Sequence, residues 1–158
     1  MPTLAWSDAL AVQHAEMDAT HQAFVEHLQA VEAVLGGAAE PLLRRYDALV
    51  EHTVEHFGQE DRWMLATGFA PENCHSTQHR QVFEVLREVG RLARHEGRLE
   101  TIGQLLPELA RWFEQHAQGP DAGLAQHLKD VGFEVATGRV AAPPPTELSG
   151  CSALACSD

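Results

Sequence analysis

Seven side chains able to bind a metal fall in four short clusters: His21; His56 with Glu60; His75 with His79; and His116 with Asp121. His56 and Glu60 are four residues apart, as are His75 and His79. On a helix that spacing rotates a side chain by only about 40° and raises it by about 6 Å, so each pair projects from one face. A pair of this kind is on its own an ordinary solvated contact. Its setting is what distinguishes it here. Glu60 lies on the same stripe as Leu49, Thr53, His56 and Met64, and His21, His75, His79 and His116 occupy inward positions on their own stripes. A buried carboxylate is expensive unless it is paired, hydrogen-bonded or metal-bound. The Lys and Arg residues fall largely off these stripes, so a metal cluster is the natural source of the missing positive charge.

Ligand type narrows the metal. Structural zinc sites close with four ligands, often thiolates, and calcium and magnesium prefer oxygen. Mixed imidazoles and carboxylates suit iron, with copper, manganese and zinc as poorer matches. Two carboxylates can each span two metals while five imidazoles fill terminal positions. With an oxo or hydroxo bridge added, one iron is six-coordinate and the other keeps a position for one small ligand. The weakest member of the set is Asp121. Five residues from His116, it would sit about 140° away on a regular helix. Gly119-Pro120 between them can loosen the turn and swing it back; otherwise Asp121 merely caps the last helical stretch.

The elements that must position these residues read as helices. An N-terminal arm over residues 1–17 carries Trp6, Leu10, Val12 and Met17. Asp18 or Thr20 can cap a first helix bearing His21, Phe24, Leu28, Val31 and Leu35, which Gly36-Gly37 stops. Pro41 suits the first turn of a second helix, with the stripe Leu42, Tyr46, Leu49, Thr53, His56, Glu60, Met64. A third carries His75, His79, Val82, Leu86, Val89 and Ala93. A fourth, from about Thr101, carries Ile102, Leu105, Leu109, Trp112, Phe113 and His116, with its regular part beginning near Pro107. A short amphipathic stretch holds Leu124, Leu128, Val131 and Val135. Short links between long amphipathic segments predict an all-α fold: an antiparallel up-down-up-down four-helix bundle over residues 18–137, with an N-terminal arm and a short C-terminal helix. Residues 138–158, with Pro143-Pro144-Pro145, are expected to form a flexible tail.

Composition agrees with this reading. The 158 residues suit one core, and the net charge of -12 disfavours nucleic acid and anionic membrane surfaces. No apolar run approaches the ~20 residues of a membrane span. No signal peptide is evident at the N-terminus, so the expected setting is cytoplasmic and the expected state a monomer. Cys74, Cys151 and Cys156 do not suggest a disulfide framework, and the latter two are read as part of a solvated tail. His14, His27, His95 and His127 are read as surface residues; His52, four before His56, is read as a surface residue too, with a place behind the metal-binding set as the alternative.

At its ligand clusters the chain resembles the hemerythrins, in particular the bacterial single-domain members. The matching pieces are Trp6 with Met17-Asp18-Ala19-Thr20-His21-Gln22, His56-Phe57-Gly58-Gln59-Glu60-Asp61 with Met64, His75-Ser76-Thr77-Gln78-His79, and Trp112-Phe113-Glu114-Gln115-His116 followed by Asp121. Together they cover about residues 5–135. The resemblance implies a four-helix bundle around a non-haem di-iron centre that binds O₂ reversibly. It places His75, His79 and His116 on the coordinatively saturated iron, His21 and His56 on the open one, and Glu60 and Asp121 across both. It further implies storage, delivery or sensing of O₂ rather than enzymatic turnover. The alternatives are a di-iron redox enzyme acting on peroxide or NO, or an iron or NO sensor. Such a site needs a dry apolar pocket, for which Phe24, Phe57, Met64, Trp112, Phe113 and Ala117 are the expected lining. Two positions depart from the family pattern: Phe113 follows the tryptophan where leucine is frequent, and Ala117 follows the histidine where a branched aliphatic residue is usual. Asp61, beside Glu60, is expected to point outward and leave the site unaffected.

Overall fold

The computed structural model describes residues 1–149, to which all structural statements refer. The elements in order are a 3-10 turn (Asp8–Leu10), α1 (Ala15–Glu32), α2 (Ala39–Ala66), α3 (Cys74–His95), α4 (Glu100–His116), a π turn (Ala117–Asp121), α5 (Ala122–Asp130), β1 (Phe133–Glu134) and β2 (Arg139–Val140). In the bundle α1 packs on α2 and α4, and α3 packs on α2 and α4, which closes a ring of four helices. This is the four-helix bundle expected from the periodicity, with α5 as the short C-terminal helix. No described helix is long and apolar enough to cross a membrane.

The helix ends follow local chemistry, though not always through the expected residue. His14 caps α1, its Nδ1 accepting from the Met17 N–H at 3.3 Å. Asp18, expected in that role, instead accepts from the Val12 N–H at 2.7 Å and ties the arm to the helix. Thr20 returns its hydroxyl to the Glu16 carbonyl. Asn73 caps α3 through a reciprocal pair with Ser76: the Ser76 N–H donates to Asn73 Oδ1, and the Asn73 N–H donates to Ser76 Oγ. That cap fixes the first turn of α3, where His75 sits. Pro107 is accommodated inside α4, which starts at Glu100 rather than near the proline.

The arm runs along α1, with Leu4 and Leu10 buried and Gln29 Nε2 donating to the Leu4 carbonyl at 2.8 Å. At the other end of the chain β1 and β2 form a two-residue antiparallel pairing. Residues beyond β2, expected as part of a flexible tail, carry backbone hydrogen bonds to the α2–α3 link. The Leu148 N–H donates to the Gly68 carbonyl, the Leu148 carbonyl accepts from the Ala70 N–H, and the Ser149 carbonyl accepts from the Cys74 N–H. Cys74 is disulfide-bonded, a tie that the three scattered cysteines did not advertise. Cys151 and Cys156, with the rest of the expected tail, lie outside the described residues.

Two apolar clusters fill the interior. The larger holds Leu28, Val31, Leu49, Leu86, Ile102 and Leu106 among others, and Tyr46 Oη donates to the Leu86 carbonyl within it at 2.6 Å. The smaller joins Met17, Trp63 and Met64 to Leu124, Ala125 and Leu128 of α5. His21, Glu60 and Asp121 lie along the helices between the two sets.

Candidate metal centre

All seven sequence-derived candidates come together. Ligand-capable atoms of Glu60, His75, His79, His116 and Asp121 lie within 4.8 Å of one another, as do those of His21, His56, Glu60 and Asp121. The two groups share both carboxylates, and every member is buried. α1 supplies His21, α2 supplies His56 and Glu60, α3 supplies His75 and His79, and α4 supplies His116.

Asp121 reaches the site through a helical irregularity. Pro120 has no N–H to give to the carbonyl four residues back, and the chain opens into a π turn across Ala117–Asp121. The Ala122 N–H then donates to the Ala117 carbonyl five residues earlier. A five-residue turn brings residues 116 and 121 nearly into line, and His116 Nε2 lies 3.0 Å from Asp121 Oδ1. The Gly119-Pro120 signal thus widens the helix without ending it, as single π turns at functional sites do.

Each carboxylate faces both halves of the site. Glu60 Oε1 lies 2.8 Å from His56 Nε2 and 3.8 Å from His21 Nε2, whereas Oε2 lies 3.4 Å from His75 Nε2 and 3.3 Å from His79 Nε2. Asp121 Oδ2 lies 3.1 Å from His21 Nε2, and Oδ1 lies 3.0 Å from His75 Nε2. Among the described residues only histidines approach these two carboxylates as cationic partners.

The donor set fits a pair of metal ions. His21 Nε2, Glu60 Oε2 and both Asp121 oxygens are buried without a hydrogen bond of acceptable geometry. Their close approaches are ionic and misaligned, as expected of lone pairs aimed at a common point and not at each other. His75 and His79 each place Nε2 at 3.1 Å from His116 Nε2. Adjacent nitrogens on one metal at about 2.1 Å would be about 3 Å apart.

Electrostatics report the same convergence. Burial works to raise the carboxyls of Glu60 and Asp121, and the neighbouring Glu60 charge adds to the effect on Asp121. The surrounding histidines nevertheless hold both well below the usual carboxylate range, through their charge and, at Glu60, through the His56 hydrogen bond as well. Burial works against the His21 and His75 imidazoliums, yet Asp121 and Glu60 hold them up at about 10 and about 9. His79 is also raised: burial opposes it, and Asp61 and Glu60 overcome that. Burial dominates at His116 and lowers it to about 4.

The aromatic lining divides between the two halves. Phe113 meets His21 edge-on at 5.2 Å, and Phe24 stacks on Phe113 at 4.4 Å. Phe57 stacks on His79 at 4.1 Å and Trp112 on His116 at 4.4 Å. Ala117 is fully buried in the larger cluster, and Met64 belongs to the smaller one.

Some residues behave differently from their sequence reading. Asp61 does not leave the site alone: its Oδ1 accepts from His79 Nδ1 at 2.9 Å. Gln78 Oε1 likewise accepts from His116 Nδ1 at 2.8 Å. Both neighbour a candidate ligand in sequence, and an α-helical stripe gives no hint that they reach across to the next helix. His52 and His127 are half-buried and donate from Nε2 to the carbonyls of Thr20 and Thr67. His95 is exposed.

A family model described as the hemerythrin HHE cation binding domain matches residues 13–128. The chain is 36% identical to a bacteriohemerythrin of Ralstonia nicotianae over 132 residues, covering 84% of this chain and 93% of that protein. It is 26% identical over 136 residues to a bacteriohemerythrin of Stenotrophomonas maltophilia, covering 82% and 84% respectively.

Proposed function

The chain belongs to the hemerythrin family, and on that premise we propose that it binds O₂ reversibly at a di-iron centre, for storage, delivery or sensing. The observation that supports this best is the two-faced placement of Glu60 and Asp121, each with one oxygen toward the His75/His79/His116 side and one toward His21 or His56. His75, His79 and His116 would hold one iron, and His21 and His56 the other. Five imidazoles and two shared carboxylates leave one side a ligand short, which is the side a small diatomic would enter.

When bound, a ferrous pair supplies the electrons that O₂ uptake requires and recovers them on release. The protein's own part is positional and dielectric. Glu60 and Asp121, shared by the two histidine groups, would hold both ions and neutralise part of their charge. Phe113, edge-on to His21, and Phe24, stacked on Phe113, keep that side apolar and exclude water and stray protons, which would otherwise favour irreversible oxidation. Phe57 and Trp112 cover the three-histidine side. No residue is assigned as an acid or base, because reversible binding needs none.

The test is to load the protein with iron, reduce it without air, admit O₂, and then remove it under argon while following the visible spectrum. A band that appears with O₂ and disappears with argon over repeated cycles is expected. Turnover of peroxide or NO by the reduced protein, with no reversible band, would contradict the proposal and favour a redox enzyme.

A further inference from the structure

The two halves of the donor set differ behind their coordinating nitrogens. On the three-histidine side, His79 Nδ1–H donates to Asp61 and His116 Nδ1–H donates to Gln78. In the neutral ring, with the proton held on Nδ1, the lone pair sits on Nε2, which faces the carboxylates. Stacking also restrains the ring planes, with Phe57 at 6° to His79 and Trp112 at 21° to His116. On the other side, His21 Nδ1 and His56 Nδ1 are buried without a partner. Their ring contacts are edge-on or tilted, at 5.1 to 6.3 Å. The anchors also cross between helices. Asp61 on α2 holds a ligand on α3, and Gln78 on α3 holds a ligand on α4.

A ligand whose tautomer and ring plane are already fixed loses less freedom when metal arrives. We propose that Asp61 and Gln78 are positioning residues that preset His79 and His116, so that the three-histidine side takes up metal before the His21/His56 side and more tightly. This rests on the two-metal reading of the site. Neither residue touches a metal in this account; each acts through the imidazole it holds. Asp61 is suited to the test because its side chain is 40% exposed, so truncation removes the acceptor without opening the core.

Anaerobic titration of the metal-free full-length chain with Co(II), followed by its visible absorption, reads the two sides as separate steps. The wild type is expected to fill in two steps of unequal affinity. Asp61→Ala and Gln78→Ala should each weaken the first step by about 10- to 100-fold and leave the second within a factor of about three of wild type. Asp61→Asn should recover most of the loss, because its amide oxygen still accepts from Nδ1. Proton NMR of the Co(II) protein gives a readout that general destabilisation would not move: the shifted Nδ1–H resonance of His79 should exchange faster in Asp61→Ala alone. Two-step filling in the wild type with an unchanged first step in both alanine variants would overturn the positioning role while leaving the two-metal reading intact. Equal weakening of both steps would overturn it as well. Failure of the wild type to bind a second equivalent would contradict the two-metal reading itself, and the proposal with it.

Discussion

Around Leu28, Leu49, Leu86 and Leu106 the helices meet through aliphatic side chains and the buried Tyr46–Leu86 hydrogen bond. One or two turns along, the same helices meet through five imidazoles and two carboxylates, with Glu60 only 1% and Asp121 0% exposed. The first region gains from burial itself, at about 25 cal/mol per Å² of apolar surface. The second loses by burial, since polar and charged groups leave water without a full set of hydrogen bonds. One end of the bundle is therefore a scaffold that needs no ligand. The other is organised for a ligand and is under electrostatic tension without it. The lesson is that metal affinity here draws on the stability of a core that never touches the metal.

Breaking each region alone should separate the two roles. Glu60→Ala removes one of the two carboxylates shared by both halves of the site. It should cut bound iron from about two per chain to one or fewer, as counted by metal analysis, while the helical circular dichroism persists. Leu106→Ala, in the aliphatic region, should do the reverse: a loss of about 2–5 kcal/mol in stability by denaturant titration, with iron stoichiometry unchanged. If Leu106→Ala abolished iron binding while the protein stayed folded, the division between the regions would be wrong.

The regions should also differ in their response to pH once metal is removed. His21 and His75 are raised from 6.5 to about 10 and about 9. Their contribution to stability is fully present below pH 6.5 and is lost as pH rises toward 9–10. His116 is lowered to about 4, so its contribution is complete above 6.5 and is lost as pH falls toward 4. Metal-free protein should therefore be most stable near pH 6.5, with melting temperature falling on both sides. Bound metal replaces the protons on these rings, so the loaded protein should show a flatter profile on the alkaline side. An equally steep alkaline fall with metal bound would count against the ligand assignment.

Smaller effects should fall at the edges of the site. Ala117→Ile adds bulk at a fully buried position. It should slow autoxidation at a stability cost of about 1–3 kcal/mol, and an unchanged or faster rate would contradict a role for the side chain at 117 in shielding the site. Gly68 has φ +99°, and a Cβ there would meet Pro144 at 2.5 Å. Gly68→Ala should cost on the order of 1–3 kcal/mol by disturbing the strap from residue 144 to 149, and leave iron content unchanged.

The same contrast explains what the sequence made legible. The four bundle helices carry their stripes in the chain, because burial selects apolar residues every three or four positions. The candidate ligands on the four helices ride those stripes, so His21, His56, Glu60, His75, His79 and His116 could be placed by periodicity. Asp121 could not, since its alignment depends on the π turn over Ala117–Asp121, for which Pro120 is only a weak signal. Asp61 reads as outward-pointing and Gln78 gives no signal, because a residue half off the stripe can still reach a neighbouring helix, and sequence spacing describes one helix at a time. The pairing of Leu148 with Gly68 and Ala70 was invisible for a related reason: backbone bonds between distant segments leave no period in the side chains.

The central claim is that Glu60 and Asp121 join two unequal iron sites in one buried centre. Mössbauer spectroscopy of the full-length protein, loaded with isotopically enriched iron and oxidised, tests it most directly. The account predicts two quadrupole doublets of equal area with no net paramagnetism, as expected of two inequivalent ions coupled through shared bridges. A single doublet from one iron per chain, or two magnetically independent ferric ions, would contradict it.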